Sequence, residues 1–356
     1  MLKEFLNRKS GIHKEISMRI VKILPIILIS VCLIKSGFAQ TETNKSGTTA
    51  SQFLKINVGP RAIGMGGAFT SVADDINAMY WNPAGLSRMY SREAYFNHVD
   101  WIMDVNLDYA AFAMDLTGLG TLGAFVNVMS MGEMEVRTLQ QPEGTGELFN
   151  AGAFTLGLSF ARNLTEEFSI GINAKYISEY IWNETANGFA IDIGTLYTIP
   201  FLNKFSIGAS ISNFGSKMRM EGRDIIQTTI VGSGEGNIIN TDLQLDKFEL
   251  PLIFRFGISV DAIQEAEHRL TIAADAIHPN DNTESINTGL EYTWNEIVFI
   301  RGGYKSLFEA DGEQGLTFGV GLNYRILESV KIKIDYAYQD FGRLQNVQYF
   351  SLGLRF

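Results

Sequence analysis

The densest cluster of chemically capable residues lies early in the chain, at residues 59–86: GPRAIGMGGAFTSVADDINAMYWNPAGL. Gly64-Met65-Gly66-Gly67-Ala68 has the glycine content of a nucleotide-cradling loop. That chemistry needs G-x-G-x-x-G between a strand and a helix, and Phe69 stands where the third glycine would fall. No Gly-Lys-Ser/Thr follows to hold a phosphate. Gly59, Gly64, Gly66 and Gly67 therefore read as positions of close backbone approach or positive φ. Asp74-Asp75 offers carboxylates to a cation, but adjacent carboxylates are expected to point apart, and the alternating oxygen ligands of a calcium loop are missing. A structural or helix-capping use is the expectation. Asn82-Pro83-Ala84-Gly85 reads as a turn.

Nothing later in the chain supplies a catalytic constellation. His98, His268 and His278 fall at strand edges or beside a charged turn, none in a Ser-His-Asp context, and no G-x-S-x-G occurs. They read as polar residues at the edges of a wall. The single cysteine, Cys32, follows Val31 instead of the small residue a lipid-anchor site needs. No enzyme activity, cofactor or metal is expected.

The elements that position the motif begin after a leader. Lys3, Arg8, Lys9, Lys14, Arg19 and Lys22 precede an apolar run at residues 23–34, and Gly37-Phe38-Ala39 offers a small-x-small cleavage site before Gln40. Residues 1–39 read as a secretory signal peptide, with Met18 an alternative start. Cleavage there leaves 22 Lys+Arg against 37 Asp+Glu, a net charge of −15, which argues against nucleic-acid binding. It also leaves a chain without cysteine, and so without disulfides.

The remainder divides into residues 40–90, which carry the motif, and residues 91–356, which read as strand, turn, strand. In the last segment Phe350, Leu352, Leu354 and Phe356 share one face, while Tyr349, Ser351, Gly353 and Arg355 share the other. The same alternation marks residues 316–326 and 330–338. Fourteen such segments are expected, near 92–101, 106–116, 120–130, 150–162, 168–181, 188–199, 205–214, 250–261, 268–278, 284–293, 297–306, 315–326, 330–340 and 347–356. Most are long enough for the roughly 9–11 residues a tilted membrane strand needs. No apolar run reaches the 18 or more residues of a membrane helix. The fold expected is all-β: a transmembrane antiparallel barrel of about fourteen strands, with both termini on the inner side.

Connection lengths support that topology. Even-numbered turns are short, and odd-numbered ones are mostly longer, above all 131–149 and 215–249, as short periplasmic turns and longer outside loops require. Ile225, Ile226, Ile230, Val231, Ile238 and Ile239 give the second long loop an apolar content suited to gripping a partner. Trp101, Tyr197, Trp294 and Tyr338 are expected in interfacial girdles. The inward face carries Lys175, Glu179, Asp192, Arg255, Asp275, Glu291, Arg301, Lys305, Arg325, Lys331, Lys333, Asp335 and Arg355. With both signs present, a lumen-side salt-bridge network is expected.

Gly59-Pro60-Arg61-Ala62-x-Gly64-Met65-Gly66-Gly67-Ala68, then Asp74-Asp75 and Trp81-Asn82-Pro83-Ala84-Gly85-Leu86, resembles the opening signature of the PorV/PorQ family of outer-membrane proteins. The Asn-Pro-Ala-Gly element is also similar to the N-terminal region of FadL-type fatty-acid transporters. The terminal Phe356 resembles the signal that outer-membrane assembly machinery reads. These resemblances imply a fourteen-stranded barrel in the outer membrane, contacting its lipid, with the N-terminal segment inside as a plug. They imply a role in type IX secretion, with secreted proteins bearing a C-terminal secretion domain and other secretion components as partners. The FadL likeness implies instead transport of hydrophobic solutes such as fatty acids.

Overall fold

The computed structural model describes residues 45–199, 202–232, 237–309 and 312–356. The expected signal peptide lies outside the described residues. Fourteen strands form one antiparallel sheet: β1 (Glu93–Asp100), β2 (Asn106–Leu116), β3 (Gly120–Ser130), β4 (Ala151–Asn163), β5 (Phe168–Ile181), β6 (Glu184–Ile199) and β7 (Phe205–Gly215). The second half comprises β8 (Ile253–Gln264), β9 (His268–Pro279), β10 (Ser285–Trp294), β11 (Val298–Leu307), β12 (Leu316–Arg325), β13 (Lys331–Asp340) and β14 (Asn346–Arg355). Each pairs with its sequence neighbours, and β1 pairs with β14 from Glu93↔Arg355 to Asp100↔Gln348, so the sheet closes on itself. Closure leaves no free sheet edge, the condition for strands to cross lipid.

Alternation decides which side chains face lipid. Phe350, Leu352 and Leu354 of β14 stand exposed on the outer surface, while Tyr349 and Ser351 are buried on the inner one. Leu316, Phe318, Val320 and Leu322 of β12 are likewise exposed, opposite buried Thr317. Phe356 is exposed, and its backbone exchanges hydrogen bonds with Arg92 beside the β1–β14 seam.

Three expectations need correction. Strand β6 begins at Glu184, four residues before the expected start, because Ile181 pairs directly with Glu184 around Trp182-Asn183. The third outside connection is thus a two-residue turn, and β5 and β6 project past the length a membrane requires. Trp101 does not stand exposed like Trp294; it packs edge-on against buried Phe341, ring centroids 5.1 Å apart. The N-terminal end of the described chain does not lie at the short-turn end. Ala50 N–H donates to Glu249 and Thr49 Oγ1 bonds Asp281, both beside the long loops.

Of the two long loops, the first pairs Met134–Glu135 with Leu148–Phe149, extended by backbone bonds of Val136 to Glu147 and Thr145. The second carries a hairpin, Ile226–Val231 against Asn237–Asp242, with Ile230 66% and Ile238 70% exposed.

Candidate functional site: a charged circuit between the motif segment and the wall

Residues 51–89 run from the long-loop end to the short-turn end and pack against the inward face of the barrel. The segment holds two short helices, α1 (Pro60–Gly64) and α2 (Ala78–Trp81), and a 3₁₀ turn at Pro83–Arg88. Almost every residue is buried. A chain buried without long helices or strands must find partners for its backbone elsewhere, and here inward side chains of the wall supply them. Asn97 of β1 accepts from Gly59 N–H at 2.7 Å, and Thr317 of β12 from Gly66 N–H at 2.9 Å. Asp275 of β9 accepts from Phe69 and Thr70 N–H at 3.0 and 2.8 Å. On the acceptor side, Asn173 of β5 donates to Met79 C=O at 2.6 Å, and Ser210 of β7 to Trp81 C=O at 2.9 Å.

Glycines of the wall make room for this approach. A Cβ on Gly289 of β10 would lie 2.1 Å from Met65 O, and one on Gly303 of β11 2.2 Å from Gly66 N. On the opposite side, a Cβ on Gly171 of β5 would lie 2.3 Å from the backbone of Pro83, and one on Gly208 of β7 2.3 Å from Thr70 O.

The motif residues take up distinct tasks. Gly59, at φ +88°, leads into α1, with Pro60 in its first turn, where a missing N–H costs nothing. Gly64 lies backbone to backbone against Gly319 of β12, and Gly66 and Gly67 carry φ of +66° and +77°. Asn82 caps the turn that begins at Pro83: its Oδ1 accepts from Ala84 N–H at 3.2 Å, while its Nδ2 donates to Thr70 and Thr195 carbonyls. Gly85 sits where a Cβ would meet Ala73 O at 2.3 Å. The stretch read as a plain turn is thus the start of a 3₁₀ turn tied to β6.

Asp74 and Asp75 do not point apart. Both reach Nη1 of Arg61, at 2.6 and 3.0 Å, because α1 and the 69–75 stretch fold back on each other. Asp75 also accepts from Asn77 N–H in a local turn ahead of α2, but no side chain caps the first turn of that helix, so the expected capping use is not seen. On its other side, Arg61 forms two parallel bonds of 2.9 Å to Glu291 of β10. Glu291 accepts from Arg301 Nε of β11 at 2.7 Å, and Arg301 Nη1 reaches Asp335 of β13 at 2.6 Å. Lys333 of β13 lies 3.7 Å from Asp335 and returns to Asp75 at 2.7 Å. The circuit is closed: three cations and four carboxylates, with Arg301, Glu291 and Asp335 essentially excluded from solvent. Burial alone would favour the neutral acid at Asp75, but Lys333 and Arg61 outweigh it and hold this carboxyl well below the usual range.

The expected lumen-side network is therefore present, though not as one piece. Lys175 pairs with Asp192 at 2.6 Å in a separate cluster, and Arg355 with Glu93 at 2.8 Å across the seam. Buried Arg255 donates to Ser212 and stacks over Tyr80 and Trp81. Arg325 and Lys331 are exposed. Of the histidines, His98 lies between Asp108 and Asp100, His268 bonds Tyr292, and His278 bonds Glu284.

A closed fourteen-strand antiparallel barrel with a lipid-compatible outer face defines a membrane-spanning β-barrel of the outer-membrane type. It superposes on the Pseudomonas putida toluene transporter TodX at 13% identity, covering 83% of this chain and 96% of that one, with a TM-score of 0.52. The Ralstonia pickettii toluene transporter TbuX aligns at 15% identity over 84% and 97%, TM-score 0.53. The CymD monoaromatic hydrocarbon channel aligns at 12% over the same shares, TM-score 0.53. At such identities the likeness is one of fold. No curated protein matches the sequence. The family model described as "Type IX secretion system protein PorV" matches residues 39–275, well over half the chain, and the chain belongs to this PorV family.

Proposed function

We propose that this protein is a non-enzymatic docking or shuttle barrel of type IX secretion, exported by cleavage after Ala39 and working through its outside loops. One observation carries the reading. The lumen is occupied by a segment bonded to the wall, while the apolar hairpin at Ile226–Asp242 stands exposed at the long-loop rim. A barrel whose middle is filled by its own chain has its recognition surfaces at its ends, and outside loops commonly carry function. Residues 51–89 act as a plug, and the motif from Gly59 to Gly85 is its anchoring signature. The partners are secreted proteins with a C-terminal secretion domain, and other secretion components.

The test is to replace residues 226–242 by a two-residue link and follow export of proteins bearing that domain. Loss of export with the barrel still in the outer membrane supports docking. Undisturbed export overturns it.

A second reading, passage of hydrophobic solutes, is favoured by one feature. A cavity of about 450 Å³ at the long-loop end has an apolar part formed by Ala50, Met218, Met220, Leu245 and Phe248, beside Glu179, Arg219 and Asp246. Uptake of a labelled fatty acid that depends on this protein would favour it over docking.

A further inference from the structure

The opposite end of the lumen, bounded by the short turns, holds a cavity of about 660 Å³ of different character. Its lining carries eight Lys and Arg against five Asp and Glu, in a chain whose net charge is −10. Several of these cations are already paired: Arg61, Arg301 and Lys333 in the circuit, Arg355 with Glu93, and Arg269 with Glu296 at 3.1 Å. Among the described residues, Arg88, Lys204 and Lys331 have no carboxylate within ion-pair distance. Arg88 is half-buried and donates to Thr198 Oγ1 at 2.5 Å, a neutral partner. Asp74, the nearby acid, is spent on Arg61, so a half-buried guanidinium here without an ion-pair partner is costly, and an incoming anion relieves that cost.

The placement of these cations selects the kind of anion. Lys204 sits in the turn between β6 and β7, and Lys331 begins β13. At about 4.8 Å per strand, six strand spacings separate β7 from β13 around the ring, an arc of roughly 29 Å. A single phosphate, with hydrogen bonds of about 3 Å, cannot meet both. The lining also interleaves Glu93, Glu166 and Glu296 among the cations. Those acids repel any anion, but a peptide offsets this by turning backbone N–H groups to them while its spaced carboxylates meet the cations, which a polyphosphate without donors cannot do. By the topology of outer-membrane barrels, the short-turn end faces the periplasm.

We propose that this vestibule docks an extended acidic peptide segment of a periplasmic protein, held by Arg88, Lys204 and Lys331 around its rim. The assignment is independent of what the outside loops bind.

The test uses the full-length protein in detergent and fluorescein-labelled hexaglutamate, with hexaglutamine as the neutral probe. Hexaglutamate should bind, hexaglutamine should not, and added salt should weaken binding. Lys204→Glu with Lys331→Glu should weaken it roughly tenfold and flatten its salt dependence, since rim charges set both. Lys217→Glu, at the other end, should leave it unchanged. If the double variant fails to fold, Lys331→Gln alone should give a smaller loss in the same direction. Equal binding of the two peptides, or binding indifferent to these substitutions, overturns the proposal. Displacement by pyrophosphate at matching concentration overturns it in favour of a compact anion.

Discussion

Arg61 of the motif segment and Glu291 of β10, 230 residues apart in sequence, are joined by two parallel hydrogen bonds of 2.9 Å. The same guanidinium also holds Asp74 and Asp75, so one side chain ties the segment to itself and to the wall.

Removing that side chain leaves three carboxylates short of their shared cation. Arg61→Met is expected to cost about 3–5 kcal/mol, the usual penalty for breaking a buried pair from one side. Arg61→Lys should recover little, because an ammonium cannot reproduce the bidentate fork. Thermal unfolding in detergent and protease cleavage within residues 51–89 would measure both.

Two adjacent glycines of β11 give a sharper contrast. Gly303→Ala should loosen the segment, since its Cβ would fall 2.2 Å from Gly66 N, while Gly302→Ala meets nothing within 4 Å. The second change should be neutral, or stabilising by about 0.5–1 kcal/mol through the lower entropy of the unfolded chain. Equal stability of the two variants would show that the close approach at Gly303 is unimportant.

The pH dependence follows from Asp75. Its folded pKa lies below the unfolded value of about 3.9, so its contribution is present above that value and is lost only as the pH falls through the folded one. The segment should therefore stay seated from pH 7 down to about pH 4. Trp81 fluorescence, with protease sensitivity as a second readout, would follow its release. Release near pH 5 that persists in Asp275→Asn, which removes the separate carboxylate holding Phe69 and Thr70 N–H, would contradict the circuit.

Ile230→Ser with Ile238→Ser should leave barrel stability within about 0.5 kcal/mol, as both residues are exposed. The docking reading expects secretion to fall nevertheless. Heat-modifiable gel migration and assays of exported protein separate the two effects.

The wall was almost fully legible in the sequence, because lipid on one side and packed interior on the other impose a period of two on every strand. Expected and observed strands agree to within a few residues at most ends. β6 is an exception: residues 184–187 lie in the expected connection, and only their pairing with β5 makes them strand. The inward charges were legible as a set, but their partners were not: Glu291 and Arg61 meet only once the ring has closed. Asp74 and Asp75 were misread because adjacent side chains diverge in an extended chain, and here the backbone is folded. The glycines that seat the segment left only a faint trace, small residues such as Gly319 at inward positions of alternating strands.

The path of residues 51–89 also bears on how the molecule is put together. The segment leads straight into β1 through Arg92, and β1 is zipped to the final strand along its whole length. Once that seam is made, the segment has no sideways exit. It can leave only lengthwise, dragging buried charges past the wall, or by unfastening the seam. The seam between β1 and β14 thus also bars the segment's sideways escape. Its retention is then a matter of rate as much as of affinity.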